Sequence, residues 1–568
     1  MTESEGSSVS TSEPEAAPSR GRGRRGRGRR GGGRSGGRGG GGSSSRGHHG
    51  GGGSRGCSDG FAVDRSASEA TSETEETKRV RLQEVQWKCR KGEKRELDSS
   101  HSEGEASPDA PSNLMRYVTW IVDKLDSKDV DCLRAHHSQH TLNIGELCAG
   151  MATGTIASKT LESKITEIHG LTVACQTVFY SEMVAWKRAL CQEVHKSCGG
   201  EHAAPALFKS RTAELNGLKE PKVDLWIGAI ECDDVSPLTT TPRSILDREG
   251  RSGSSFMEML DVLSSCGMDA RPRFIMLECV AALDKLRKAV NEKGTKVATD
   301  KLAELGYAGS WNLLNTRDFG LPQSRSRTYG VFVMRSAGFG MHGQEIHMKQ
   351  VQRVWDFVAS CKIDKPDVLA KFLSDAKFAM LADEMSDAKK KNDKKKVENK
   401  NKPKKPPVWK KQHAAFKEKW KIADSEMKTR VQKALVQQKD KLNLTEREVE
   451  CAILKLALHM RKNIKNPVDQ DCLVANIGDS LNYVRFNSTC HPCLLPTKKY
   501  LYIFQGHCFT NSNVTGNLYL RLQGLGPEEV EKAGLGGLDQ RQSQELAGNA
   551  FTSNIVAAIV LAILVNWK

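Results

Sequence analysis

Leu142-Asn143-Ile144-Gly145-Glu146-Leu147-Cys148-Ala149-Gly150-Met151-Ala152-Thr153-Gly154 reads as an apolar strand running into a turn of small residues and then a helix. At the carboxyl edge of a parallel sheet, a strand, such a turn and a helix N-terminus make a nucleotide-sized site. From Thr141 to Ser336 strand-like apolar runs alternate with helical patterns, which predicts a parallel α/β sheet. Strands are expected at 142–148, 177–182, 224–230, 273–278, 310–314 and 328–334.

Composition bounds the rest. The 568 residues carry formal net charge +17, with 38% hydrophobic and 6% aromatic residues. That length holds two or three domains, and the low aromatic share predicts that part of the chain never packs. Excess positive charge favours a polyanionic partner. Residues 1–19 are acidic, Ser-rich and polar, unlike a signal peptide, and the apolar run 555–565 is too short to span a bilayer. Sixteen cysteines without a secretory signal predict thiols rather than disulfides. A soluble, intracellular protein with no membrane partner is expected.

Four segments emerge. Residues 1–112 are expected to be a disordered basic tail, because 20–53 is almost wholly Arg, Gly and Ser and has no apolar area to bury. It is read either as a nucleic-acid contact or as a solubilising tail. Residues 113–341 form the first part of the α/β domain, opened by a helix or strand around Leu114-Met115-Arg116-Tyr117. Residues 342–515 are an insert with a lysine-rich arm, including Lys389-Lys390-Lys391 and Lys402-Pro403-Lys404-Lys405. The arm is read three ways: nuclear import signal, DNA-backbone arm, or solvated linker. Within the insert, Thr445-Glu446-Arg447-Glu448 reads as a capping box opening a helix, and structure continues through 497–505. Residues 516–568 return to the α/β domain and close with a helix over 543–567.

Chemistry-bearing residues sit at the predicted strand ends. The second strand ends at Glu182, placed to accept hydrogen bonds from two ribose hydroxyls. The turn after the first strand has fewer glycines than a dinucleotide needs, which suits a phosphate-free cofactor such as S-adenosylmethionine. The third strand runs into Ile230-Glu231-Cys232-Asp233-Asp234, and the fourth ends in Glu278-Cys279-Val280. A strand-end thiol acts as a nucleophile or packs as a small hydrophobe; a strand-end Glu serves as an acid or a helix cap. In Gln323-Ser324-Arg325-Ser326-Arg327 two arginines project to the same side of an extended segment and can grip a phosphate or a base carbonyl together. Cys490-His491-Pro492-Cys493 with His507-Cys508 is read as free thiols rather than a zinc site, because the second pair is adjacent instead of spaced. No metal is expected.

In order and spacing these segments resemble the cytosine-C5 methyltransferases. That family has a first loop of roughly Asp-Leu-Phe-Ala-Gly-x-Gly-Gly, then Pro-Cys-Gln, Glu-Asn-Val and Gln-x-Arg-x-Arg. Here Leu520-Arg521-Leu522-Gln523-Gly524-Leu525 is similar to its Arg-Leu-Gln-Gly-Phe-Pro, and Glu545-Leu546-Ala547-Gly548-Asn549-Ala550 to its Gln-Leu-Gly-Asn-Ser. The resemblance implies a Rossmann-like S-adenosylmethionine-dependent methyltransferase domain with an inserted target-recognition lobe. It implies methyl transfer to C5 of cytosine in DNA, with RNA as the lesser alternative, in the nucleus. Cys232 would attack C6 of the flipped base, Glu278 would protonate N3, Arg327 would hold O2, and Arg325 would help stabilise the developing charge. Cys148, Gly150, Met151, Glu182, Asn549 and Ala550 would line the cofactor pocket.

The departures matter as much. Glu231-Cys232-Asp233 replaces Pro-Cys-Gln, and the added carboxylates are expected to raise the pKa of Cys232. Cys279 replaces the asparagine of Glu-Asn-Val, Cys148 replaces an aromatic, and Ala152-Thr153 replace paired glycines. Ser210-Arg211-Thr212 stands where an acidic residue usually holds the adenine amino group. Two readings therefore stand: an active methyltransferase, and a catalytically weak or inactive fold that binds nucleic acid.

Overall fold

A computed structural model describes residues 113–137, 140–198, 205–208, 223–285 (without 238 and 240), 293–335, 340–364, 369, 372–373, 407–427, 430–463, 472–478, 486–487, 490–510 (without 497, 505 and 506) and 517–567. The Arg/Gly tail, the lysine-rich arm and Ser210-Arg211-Thr212 lie outside the described residues.

The first half begins with helices α1 (Leu114–Asp123) and α2 (Ser127–His137), followed by β1 (Leu142–Leu147), α3 (Thr153–His169), β2 (Cys175–Ser181), α4 (Ala185–Ser197) and β3 (Ala206–Phe208). It continues through β4 (Leu225–Ala229), α5 (Arg251–Ser265), β5 (Phe274–Val280), α6 (Gly294–Glu304), β6 (Tyr307–Asn315), β7 (Gln323–Ser324), β8 (Ser326–Met334) and α7 (Gly340–Ser360). The segment left open between helix and strand is α1. Its buried residues Leu114, Tyr117, Val118, Ile121 and Val122 follow the helical period, and the Asn113 side chain caps it by accepting from Arg116 N at 2.9 Å.

Seven strands form one sheet in the order β3-β2-β1-β4-β5-β8-β6. All six expected strands are present, and β3, which the sequence reading missed, extends the edge beside β2. The expected parallel sheet is found across β3-β2-β1-β4-β5, and β8 departs from it. β8 runs antiparallel to both β5 and β6, because only residues 316–325 join β6 to β8 and a parallel return requires a crossover of a dozen or more residues. The two faces of the sheet belong to separate apolar clusters.

After α7 come α8 (Val408–Lys419), α9 (Arg430–Gln437) and α10 (Glu446–Asn463). The predicted capping box opens α10: Glu448 N donates to Thr445 Oγ1 (3.3 Å), and Thr445 N donates to Glu448 Oε2 (2.8 Å). Strands β9 (Cys472–Asn476), β10 (Phe486–Asn487), β11 (His491–Pro492), β12 (Tyr500–Phe504) and β13 (His507–Thr510) follow. Four of them make a second, antiparallel sheet, β10-β9-β12-β13, while β11 pairs with β7 and fastens this lobe to the main domain. α7 crosses residue 342 and packs Val351, Val354, Trp355 and Val358 into the main core.

The chain ends in α11 (Asn517–Leu522), α12 (Pro527–Lys532), α13 (Gln540–Asn549) and α14 (Ser553–Val565). One helix was expected over 543–567; there are two. Ala550 and Thr552 are extended, with ψ of 157° and 116°, and Arg325 takes the Gly548 and Ala550 carbonyls at 3.0 and 2.8 Å. Those bonds hold the break open. Every residue of α14 is buried, and among the described residues no single helix is long and apolar enough to cross a membrane.

Candidate active site

The carboxyl edge of β1, β2, β4 and β5 surrounds a cavity of about 320 Å³. At one end lies the turn after β1, where Cys148, Gly150 and Ala152 all have left-handed backbone (φ 53°, 53° and 55°). Two of these three are not glycine, so the surroundings must hold the turn. Glu182, just past β2, does part of that: its carboxylate accepts from Gly150 N at 3.0 Å and from Val184 N at 2.9 Å.

Beneath the turn, Glu146 satisfies the start of α3. Its oxygens accept from Gly154 N (3.1 Å), Thr155 N (2.7 Å) and the Thr155 hydroxyl (2.5 Å), which also meets Thr177 Oγ1 at 2.7 Å and Tyr180 OH at 2.8 Å. A Cβ on Gly154 would lie 2.7 Å from Ile227 Cδ1 and 3.0 Å from Glu146 Cδ, so only glycine fits there. Burial pushes the Glu146 carboxyl up to about 7 against those donors. A helix N-terminus that elsewhere receives a phosphate is here filled by an internal carboxyl.

Of the six residues assigned to a cofactor, Cys148, Gly150, Glu182 and Asn549 line the cavity. Met151 and Ala550 do not. Met151 is buried in the core beneath the turn, and Ala550 contributes its carbonyl to Arg325. The sequence reading missed Met183, Val184 and Lys187, which also line the cavity. Their signal was adjacency: they sit within a turn and a half of Glu182. Lys187 is buried and paired with Glu545 at 3.0 Å, linking α4 to α13.

At the other end stand Cys232, Glu278, Arg325 and Arg327. β4 and β5 are in register up to Ala229 opposite Glu278, and Ile230 N donates to Glu278 O at 3.0 Å, which brings Cys232 to the same edge. Arg327 lies opposite Val280 on β8, with its Nε 3.1 Å from Glu278 Oε1 in a mostly buried ion pair. Burial pushes the Glu278 carboxyl up while Arg327 and Arg325 pull it back.

Burial also raises the Cys232 thiol, then Glu278 raises it further, opposed by Arg327; Asp233 adds less than either burial or Glu278. The expected rise from the acidic loop is therefore present through Asp233, with burial and Glu278 as the larger causes. Asp233 is paired with Arg251 at 2.8 Å, and Asp234 accepts from Ser252 N at 2.7 Å. Arg325 also differs from expectation in its contacts. It is 2% exposed, and its guanidinium binds the carbonyls of Leu494 (3.4 Å), Gly548 and Ala550. These bonds hold the cavity wall, while its charge still acts on Glu278 and Cys232.

Cys493, one of the thiols of Cys490-His491-Pro492-Cys493, points its sulfur at Arg327 Nη2 (3.7 Å) and Arg325 Nη1 (4.0 Å), while His491 is buried against Tyr502 OH at 2.9 Å. Among the described residues no group of three or more His, Cys, Asp or Glu side chains is arranged to hold a metal ion.

A mainly parallel sheet with one reversed strand, β8, set between β5 and β6, and with its cavity at the carboxyl edge, is a Rossmann-like methyltransferase architecture. Within that class the family model for C-5 cytosine-specific DNA methylases matches residues 192–563, and the chain belongs to that family. It is 26% identical over 200 residues to DNA (cytosine-5-)-methyltransferase DMT5 of Cryptococcus neoformans, covering 33% of this chain and 7% of that protein. To the type II methyltransferase M2.ScrFI of Lactococcus lactis it is 28% identical over 120 residues, covering 20% of this chain and 30% of that one. The matches thus span less than a third of either relative's length. The crystal structure of the S. pombe Dnmt2 methyltransferase aligns over 75% of this chain and 98% of its own, at 13% identity and a TM-score of 0.36.

Proposed function

We propose that the chain transfers a methyl group from S-adenosylmethionine to C5 of cytosine in DNA. The observation that carries this reading is the meeting of Cys232, Glu278 and Arg327 at one end of a cavity whose other end is the Glu182 turn. The cofactor fits the residues present: Glu146 closes the phosphate position, and Glu182 keeps a carboxylate on the cavity wall for a ribose. Cys148, Gly150, Glu182 and Asn549 would hold it, and when bound it supplies an electrophilic methyl group.

The chain's own groups do the rest. Glu278, whose carboxyl burial raises and Arg327 and Arg325 lower, would give a proton to N3 of a cytosine drawn out of its helix, and Arg327 would hold the developing charge at O2. Drawing ring electrons toward N3 makes C6 electrophilic, and the Cys232 sulfur forms a bond to it while the C5–C6 π pair moves to C5. After C5 is methylated, a base takes the C5 proton, the C–H pair restores the C5–C6 double bond, the C6–S pair leaves on sulfur as the thiolate, and the N3 proton returns to Glu278. Arg325 serves by fixing the Gly548–Ala550 wall. The lobe fastened through β11 would read the target, and a nuclear location follows from a DNA substrate and the lysine-rich arm.

The test is transfer of tritiated methyl from S-adenosylmethionine to cytosine-containing DNA and RNA, with the intact chain and Cys232→Ser. Label on DNA that vanishes in the variant is expected. No label, or label on RNA alone, overturns the proposal.

A further inference from the structure

The residues that depart from the family's Pro-Cys-Gln are engaged by the first turns of α5. Glu231 N donates to Ser255 Oγ at 3.3 Å, Asp233 Oδ2 accepts from Arg251 Nη1 at 2.8 Å, and Asp234 bonds Ser252 twice. In that double contact Asp234 N donates to Ser252 Oγ (3.0 Å) and Ser252 N donates to Asp234 Oδ2 (2.7 Å). Ser252 and Ser255 are 0% and 4% exposed, and Ser255 Oγ donates back to Ser252 O at 3.0 Å. Ser236 N closes a turn onto Cys232 O at 2.8 Å. Both sequence neighbours of Cys232 are therefore fastened to one helix end.

The helix is built to receive them. Its N-cap residue is Gly250, which has no side chain to satisfy the first amides, so Asp234 supplies the cap from across the loop. A Cβ at Gly250 would lie 2.7 Å from Asp234 Oδ2, and one at Gly253 would lie 2.0 Å from Asp247 O. Glycine at 250 lets the nucleophile loop lie against the helix, and glycine at 253 lets the lead-in segment at Asp247 pack on its first turn. The positive end of the helix favours the Asp234 carboxylate, and Arg251 faces that of Asp233.

We infer that Asp234 and Ser252 are positioning residues for Cys232, forming a clasp that fixes the nucleophile's backbone where a proline is missing. The inference rests on Cys232 being the nucleophile proposed above. Arg251 is the weaker strand of the clasp, since its pair with Asp233 is 72% and 51% exposed.

The test compares Asp234→Ala, Asp234→Asn and Ser252→Ala with the parent, reading iodoacetamide alkylation of Cys232 beside kcat and KM for methyl transfer. Loss of the clasp is expected to free the half-buried thiol, speeding alkylation at least five-fold while kcat falls at least five-fold and KM for the cofactor holds. Asp234→Asn, which keeps an acceptor for Ser252 N but no charge, should fall between. Alkylation within two-fold of the parent in folded Ser252→Ala and Asp234→Asn overturns the clasp, even if kcat drops. Should Asp234→Ala fail to fold, those two variants decide. Alkylation needs no methyl transfer, so an inactive parent would refute the proposed function and still leave the clasp to be judged.

Discussion

Glu146→Gln is the sharpest probe of the site's electrostatics. The side chain is 0% exposed and its carboxyl is pushed up to about 7 from 4.5. A raised acid pKa means that the folded state holds the proton more tightly than the unfolded chain. The resulting stability is fully present below about 4.5 and is lost as pH rises through about 7. Between pH 5 and pH 8 the loss comes to about 2–3 kcal/mol. Glutamine is neutral at both pH values, so this component vanishes. Its amide nitrogen would face one of the amides of Gly154 and Thr155 and leave that donor without its acceptor, a penalty of about 1–3 kcal/mol at every pH. Urea unfolding of parent and variant at pH 5 and pH 8, followed by tryptophan fluorescence, measures both quantities. The variant should be the weaker protein at pH 5 and should lose about 2–3 kcal/mol less than the parent on going to pH 8. Equal losses in the two proteins would refute the reasoning and show that the three donors, not burial, govern Glu146.

Other expectations follow from the opposite end of the cavity. Arg325→Lys, reaching fewer than the three carbonyls now bound, should weaken S-adenosylhomocysteine binding by about tenfold or more in calorimetry, at about 1.4 kcal/mol per decade. Unchanged affinity would return Arg325 to a purely catalytic role. Asp233→Gln should leave the pH profile of Cys232 alkylation nearly where it is, whereas Glu278→Gln should move it to lower pH, because Glu278 stands above Asp233 among the charges that raise the thiol. In methyl transfer, activity should rise with pH as Cys232 ionises and fall again once Glu278 has lost its proton, giving a bell-shaped rate profile.

How much of this was legible in the chain depended on range. Strand positions were readable because each is a continuous apolar run, and the Thr445–Glu448 cap because its partners are three residues apart. The direction of β8 was readable only by counting the residues between it and β6. What escaped were contacts between distant segments. Nothing in the sequence shows that Arg325 reaches the carbonyls of residues 548 and 550, or that α5 receives the carboxylates beside Cys232. Met151 was misplaced because a small-residue turn does not reveal which of its members faces inward.

The burial of α14 sets an order of events during synthesis. β1, β4, β5 and β8 leave the ribosome with their apolar side chains Ile144, Leu225, Met276 and Val331 destined for a helix, 553–565, that is translated more than two hundred residues after β8. Until it emerges, that side of the sheet lacks a principal cover, and the Gly548–Ala550 wall has yet to meet Arg325. A nascent chain in this condition is a client for chaperones and a target for proteolysis. A premature stop anywhere before residue 553 would therefore leave a sheet without its cover as well as a shorter protein.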